Sequence, residues 1–202
     1  MVKNFIIKLI SIIIPVKILN ILEIILDNSL GKGISISLSN EIKSVRKFLK
    51  EDVKVIFDIG ANLGQFSSEI RSKGYNGKIV SFEPLTIARQ KLVKIASKDA
   101  NWHVHDRSAV GNFDGSIDIN ISKNSYSSSI LPMLDLHLNA ANDSQYIGTE
   151  KTPIIKLDSV AKNYLNEFSN CFIKIDTQGY ESQVLDGASN ILKRTKGILC
   201  EL

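Results

Sequence analysis

The chain has 202 residues, enough for one domain with a full core, and its 44% hydrophobic and 23% charged residues exclude wholesale disorder. A net charge of +4 spread over scattered lysines leaves no basic track for a nucleic acid. The two cysteines, Cys171 and Cys200, lie in apolar runs and read as small buried hydrophobes, which places the protein in a reducing, cytoplasmic setting. No Cys/His cluster has zinc spacing, and no metal is expected.

Residues 1–30 are crowded with isoleucine and leucine, yet their polar residues recur at helical spacing. Asn4, Lys8 and Ser11 form one stripe, Pro15 interrupts, and Lys17, Asn20, Glu23 and Asp27 form a second. Two short amphipathic helices are expected, with Gly31 a stop for the second. Eight uncharged residues separate Lys8 from Lys17, well short of the roughly 20 that a spanning helix needs. No small-residue cleavage site follows, which argues against a signal peptide. Either the apolar face packs on the domain or a partner, or it lies in a membrane surface with Lys3, Lys8 and Lys17 near anionic lipid; a true anchor is the third reading. Residues 31–40 (GKGISISLSN) read as a linker or short edge strand.

Residues 41–202 alternate helix and strand patterns, which predicts an α/β fold with a doubly wound, mostly parallel sheet. Ile42, Val45, Phe48 and Leu49 mark a lead-in helix. Strands are expected over 53–59, 79–83 and 102–106, with helices from about 65 to 73 and from Leu85 to Ala96 between them. Residues 108–122 look like a hairpin turning at Asn112-Phe113-Asp114-Gly115, with Ile117, Ile119 and Ile121 alternating. Residues 125–150 show no period and are rich in Ser and Asn, the composition of a disordered or a functional loop. An extended pattern resumes at 152–157, where Asp158 can cap the short helix that follows. An apolar strand over 171–176 leads into a helix over 179–193, and a last strand begins at Gly197.

In open α/β sheets, ligands bind outside the carboxyl ends of the strands. Here those ends carry Asp58, Glu83, Asp106, Asp176 and Glu201, an edge suited to a ligand that tolerates negative charge. The glycine turn after the first strand holds only Gly60 and Gly64, with Ala61 and Asn62 between, whereas a dinucleotide fingerprint needs three glycines. A pyrophosphate would also be repelled by Asp58. S-adenosylmethionine brings an ammonium, a sulfonium, a carboxylate and a ribose, but no phosphate. Asp58 can attract the ammonium, the amides of residues 60–64 can meet the carboxylate, Glu83 can accept the ribose hydroxyls, and Asp106 is in reach of the adenine amino group.

Three segments together carry a resemblance: VIFDIGANLGQF (55–66), IVSFEP (79–84) and IKIDTQGYESQVLDGA (173–188). The chain resembles the FkbM-type S-adenosylmethionine-dependent methyltransferases of class I, with a Rossmann-like sheet of seven strands. The third segment is the specific one. The resemblance implies cofactor contacts at Asp58, Gly60, Asn62, Gly64 and Glu83, a weaker one at Asp106, and Asp176 and Glu181 facing the methyl-transfer site. It also implies methylation of hydroxyl groups on sugars, glycans or polyketide-type metabolites. Gln178 stands where many members have an acid, and the chain ends at its fifth strand, so the terminal strand pair is expected to be missing.

Methyl transfer to oxygen also releases a proton, for which Asp176 is the first candidate base and His137 the second. His103 and His105 share a strand face and read as packing or surface residues. The serine cluster at 125–129 can lie over the site or in solvent. Two rival readings stay open, a nicotinamide-dependent oxidoreductase and a non-catalytic binding module. The acceptor and the oligomeric state are not legible.

Overall fold

The structure, a computed structural model, describes residues 53–122, 129–130, 146–167 and 169–200. The amphipathic segment, the linker, the lead-in helix, His137, Ser125 to Ser128 and Glu201 lie outside these residues. In chain order the elements are β1 (Val53–Ile59), α1 (Gln65–Ser72), β2 (Lys78–Phe82), α2 (Thr86–Ala96), β3 (Trp102–Val104), β4 (Ala109–Val110), β5 (Gly115–Ser122), β6 (Tyr146–Ile155), α3 (Leu157–Val160), β7 (Asn170–Ile175), α4 (Glu181–Asp186) and β8 (Thr195–Cys200).

Five strands, all parallel, form the central sheet in the order β3-β2-β1-β7-β8. β1 and β7 are apolar almost throughout because both faces of the sheet are covered. On one face Val55, Phe57, Ile59, Val80, Phe82 and Ile173 pack against Leu157, Val184 and Ala188. On the other, Ile56, Ile79 and Phe172 pack against Ile70 of α1 and Leu92 and Ala96 of α2. This is the doubly wound α/β fold that the pattern predicts. The chain moves from β1 toward β3 and then returns to the other side of β1 at β7, so the order reverses between β1 and β7. A crevice opens where it does.

The expected hairpin over 108–122 does not form. β4 and β5 are not paired with each other; β6 lies between them, parallel to β4 and antiparallel to β5, in a second sheet of order β4-β6-β5. β5 finds its partner across the segment that looked irregular, and β6 already begins at Tyr146. Its first half is mostly exposed, so it carries no apolar alternation to betray it.

The helix expected over 179–193 is also broken. α4 stops at Asp186, and a 3₁₀ turn, Ile191–Arg194, follows. A Cβ on Gly187 would stand 1.8 Å from the Gly111 carbonyl oxygen, so the two backbones touch where the helix would have continued. Asp158 does not cap the start of α3. It sits inside the first turn of α3 and accepts instead from the amides of Asn190 and Ile191, at 2.8 and 2.9 Å, at the start of the 3₁₀ turn. The entry to α3 is held by Asp114, which accepts from the Lys156 amide at 2.8 Å and the Ser159 hydroxyl at 2.9 Å. Among the described residues no helix is long and apolar enough to cross a membrane.

Candidate functional site

A cavity of about 320 Å³ opens at the carboxyl ends of β1, β2 and β7, a size within reach of a small-ligand site. Three strand-end loops build its walls: Gly60, Ala61 and Asn62 after β1, Glu83 after β2, and Asp176 to Gln178 after β7. Ile119, Ser129 and Ile130 face them from the second sheet and its neighbouring segment. Of the residues expected to form the site, Gly60, Ala61, Asn62, Glu83 and Asp176 come together here, whereas Asp58, Gly64, Asp106 and Glu181 do not line the cavity.

Each of those four has a physical reason to be elsewhere. Asp58 is completely buried one row below the cavity, where it accepts from the Ser67 hydroxyl at 2.6 Å and pairs with Lys174 at 3.6 Å. Burial raises its carboxyl above the ordinary range; Lys174 and the hydroxyls of Ser67 and Ser81 oppose this only partly. Gly64 serves packing. A Cβ there would stand 2.7 Å from Leu92 and 2.8 Å from Trp102, so the glycine lets α1 start against α2 and β3. Asp106 points into solvent, with Arg89 at 3.9 Å. Glu181 is buried at the start of α4, and its carboxylate turns back to accept from the amides of Thr177 and Gly179 and from the Thr177 hydroxyl. It shapes the loop that follows Asp176 rather than facing the cavity. That loop needs support, since Gln178 and Gly179 both have positive φ.

The glycine turn itself is not a phosphate cradle. Gly60 and Ala61 donate to the Phe82 carbonyl, Asn62 to Glu83 Oε2 at 2.7 Å, Leu63 to Gln65 Oε1, and Gly64 to the Ala61 carbonyl. All five amides expected to meet an anion are already satisfied within the chain. Gly60 has φ +70, and a Cβ on it would stand 1.9 Å from the Asp176 carbonyl oxygen, so the turn is folded tightly against the loop after β7. One polar atom is left over: Asn62 Oδ1 is buried without a hydrogen-bond partner.

Glu83 is almost fully buried and accepts from the amides of Asn62 and Leu85, the latter at 2.9 Å. Burial pushes its carboxyl up to about 7 despite those amides. Asp176 is a quarter exposed at the cavity wall; Gln178 Nε2 donates to one oxygen at 2.6 Å and Lys174 Nζ to the other at 3.3 Å. Lys174 is a buried ammonium that sequence reasoning passed over. Its signal was available: a lone charge inside the apolar strand CFIKI, two residues before an acid. Ser108, also in the wall, places its hydroxyl 3.3 Å from His105 Nδ1. His105 stacks on Phe82 at 4.9 Å and His103 packs on Tyr164 at 5.2 Å.

The profile of the Methyltransferase FkbM domain matches residues 58–202, which include all of this site. The chain belongs to the FkbM methyltransferase family. Among solved structures, the methyltransferase FkbM from Methylobacillus flagellatus KT is similar at 17% identity and a TM-score of 0.45, over 70% of this chain and 30% of that one. The chain thus spans under a third of that protein's length. No curated protein matches. Within this FkbM domain, the third quoted segment delivers Asp176, Lys174 and the Glu181 brace, and its Gly187 is the contact with Gly111.

Proposed function

We propose that this FkbM domain moves a methyl group from S-adenosylmethionine to a hydroxyl oxygen of a small metabolite, sugar or glycan. The charge of the cavity is the observation that carries the reading. Its charged lining, among the described residues, is Glu83, Asp176 and Lys174, and the lysine is already shared between two aspartates. With the turn amides taken as well, neither the glycine turn nor an unpaired cation among the described lining residues is there to receive a pyrophosphate. What remains is a set of acceptors, two carboxylates and the orphaned Asn62 Oδ1. That set fits the ammonium and the ribose hydroxyls of a cationic, phosphate-free cofactor, while the carboxylate such a cofactor carries does not find the turn amides free.

When bound, S-adenosylmethionine would supply a methyl already activated on a sulfonium. Glu83 would accept from the ribose hydroxyls, and Asn62 Oδ1 from the ammonium. Asp176 would hold the acceptor hydroxyl and take its proton as the carbon–oxygen bond forms and the carbon–sulfur pair stays on sulfur. Gln178, donating to the other oxygen of Asp176, holds that carboxylate in place. Orientation of the two reactants in a small cavity can supply much of the acceleration. The same proposal assigns nucleic acid no role.

Calorimetric titration with S-adenosylmethionine and, separately, with NAD tests the reading, followed by turnover on a panel of hydroxylated acceptors. Saturable binding of the former and not of NAD is expected. Absence of S-adenosylmethionine binding at millimolar concentration overturns the proposal. Binding without turnover on any acceptor would instead make the chain a binding module.

A further inference from the structure

On the face of the central sheet that carries α1 and α2, an apolar cross-strand row is followed by a polar one at the carboxyl end. Ile79, Ile56 and Phe172 are in register; the next row on that face is Ser81, Asp58 and Lys174. All three are buried. A buried charged row is costly, and apolar residues in its place would commonly be neutral or stabilising, so the row is poorly explained by stability alone. Its position is informative, because it lies directly beneath the cavity, and Lys174 reaches the wall.

An ammonium has three protons. Around Lys174 Nζ stand three acceptors: the Gly60 carbonyl at 3.1 Å, Asp176 Oδ2 at 3.3 Å and Asp58 Oδ1 at 3.6 Å. One belongs to the turn after β1, one to the loop after β7, and one to the buried row. The first two are hydrogen bonds, and Asp58 Oδ1, which has no hydrogen-bond partner of its own, is held as an ion pair beyond hydrogen-bond distance, so the ammonium is engaged by the chain on three sides and, while charged, is no base. The turn and the loop are also the two segments pressed together at Gly60, where the Asp176 carbonyl excludes any Cβ.

We propose that Lys174 is a positioning residue: a buried clasp that ties the glycine turn to the Asp176 loop and so holds open the cofactor cavity in its binding geometry. Asp58, read from the sequence as a cofactor contact, is the counter-ion that keeps this clasp charged and aimed. The proposal rests on the cofactor reading above and assigns the Asp58–Lys174 pair a role that charge neutralisation alone would not give it.

The test uses the full chain, thermal melting, and calorimetric binding of S-adenosylmethionine and S-adenosylhomocysteine. The latter has a neutral sulfur and no net charge, so its affinity reports cavity geometry with less of the direct charge effect of removing an ammonium. Lys174→Met alone leaves Asp58 buried without its partner and is expected to melt early. The double variant Asp58→Asn, Lys174→Met removes both charges and should melt near the wild type. Its affinity for S-adenosylhomocysteine should still be weaker by about tenfold or more, and Lys174→Arg, which keeps the charge, should lose less. If the double variant recovers both its melting temperature and wild-type affinity, Lys174 merely neutralises Asp58 and the clasp is wrong. An affinity loss in Lys174→Arg as large as in the double variant would also overturn it. A wild-type chain that binds neither compound sinks the cofactor reading itself, an outcome distinct from a wild type that binds and a double variant that binds equally well.

Discussion

Glu83 and Gly60 show how single residues of this site carry two duties. Glu83 accepts from the amides of Asn62 and Leu85, and only its ionised form has acceptor sites for both of these and for two ribose hydroxyls as well. Because its carboxyl is pushed up to about 7, S-adenosylmethionine affinity should rise as pH rises through neutrality. Glu83→Gln should flatten that profile and weaken binding by about tenfold or more, read by calorimetry between pH 6 and 8 at the order expected for a charge-assisted hydrogen bond. Gly60 was legible as part of a binding turn, but its requirement comes from the Asp176 carbonyl 1.9 Å from any Cβ. Gly60→Ala should therefore cost the unliganded protein at least about 2 kcal/mol in urea unfolding, through both the clash and the positive φ. A variant as stable as wild type would return Gly60 to a purely ligand-facing role. The acids at the strand ends were legible because they interrupt apolar runs. Which of them face the cavity was not, since a strand-end residue can turn beneath the site or out into solvent, as Asp58 and Asp106 do.

At the scale of elements, the strands with both faces buried stand where the apolar runs place them, because such runs have nowhere else to go. Errors collect where the partner is distant in sequence. β5 has the alternation of a hairpin strand, yet it pairs with β6, Gly115 opposite Ile154, across a gap no local signal spans. The 3₁₀ turn after α4 depends on another distant group, Asp158, whose two oxygens cap the amides of Asn190 and Ile191. Asp158→Ala should destabilise the protein by about 1 kcal/mol in denaturant titration, the usual worth of a lost cap, with cofactor affinity little changed. Gly187→Ala should do far more harm, since its Cβ would meet the Gly111 carbonyl at 1.8 Å and push α4 away from the strand β4. Loss of soluble, cooperatively melting protein is the expected result.

For the molecule as a whole, the buried carboxyls set how stability follows pH. Glu83 has a folded value near 7 against an ordinary 4.5, so the folded state binds more protons than the unfolded one between those values. The stability tied to this group is fully present below about 4.5 and is lost as pH rises through 7; Asp58, also raised, acts in the same sense. Melting temperature without ligand should fall from pH 5 to pH 8, less steeply in Glu83→Gln, and saturating S-adenosylmethionine should offset the fall. A melting temperature that rises over that range would contradict the buried, unliganded Glu83. By itself, the sequence determined the α/β class, the strands of the central sheet, the strand-end acids and the family, because burial on both faces and turn chemistry write themselves into neighbouring residues. Only the tertiary structure decided that the glycine turn has no free amides, that Asp58 lies beneath the cavity, and that Lys174 joins two loops. The first depends on how β1 lies beside β2, and the Lys174 contacts on register between strands more than a hundred residues apart; no local pattern encodes which groups such pairings bring face to face.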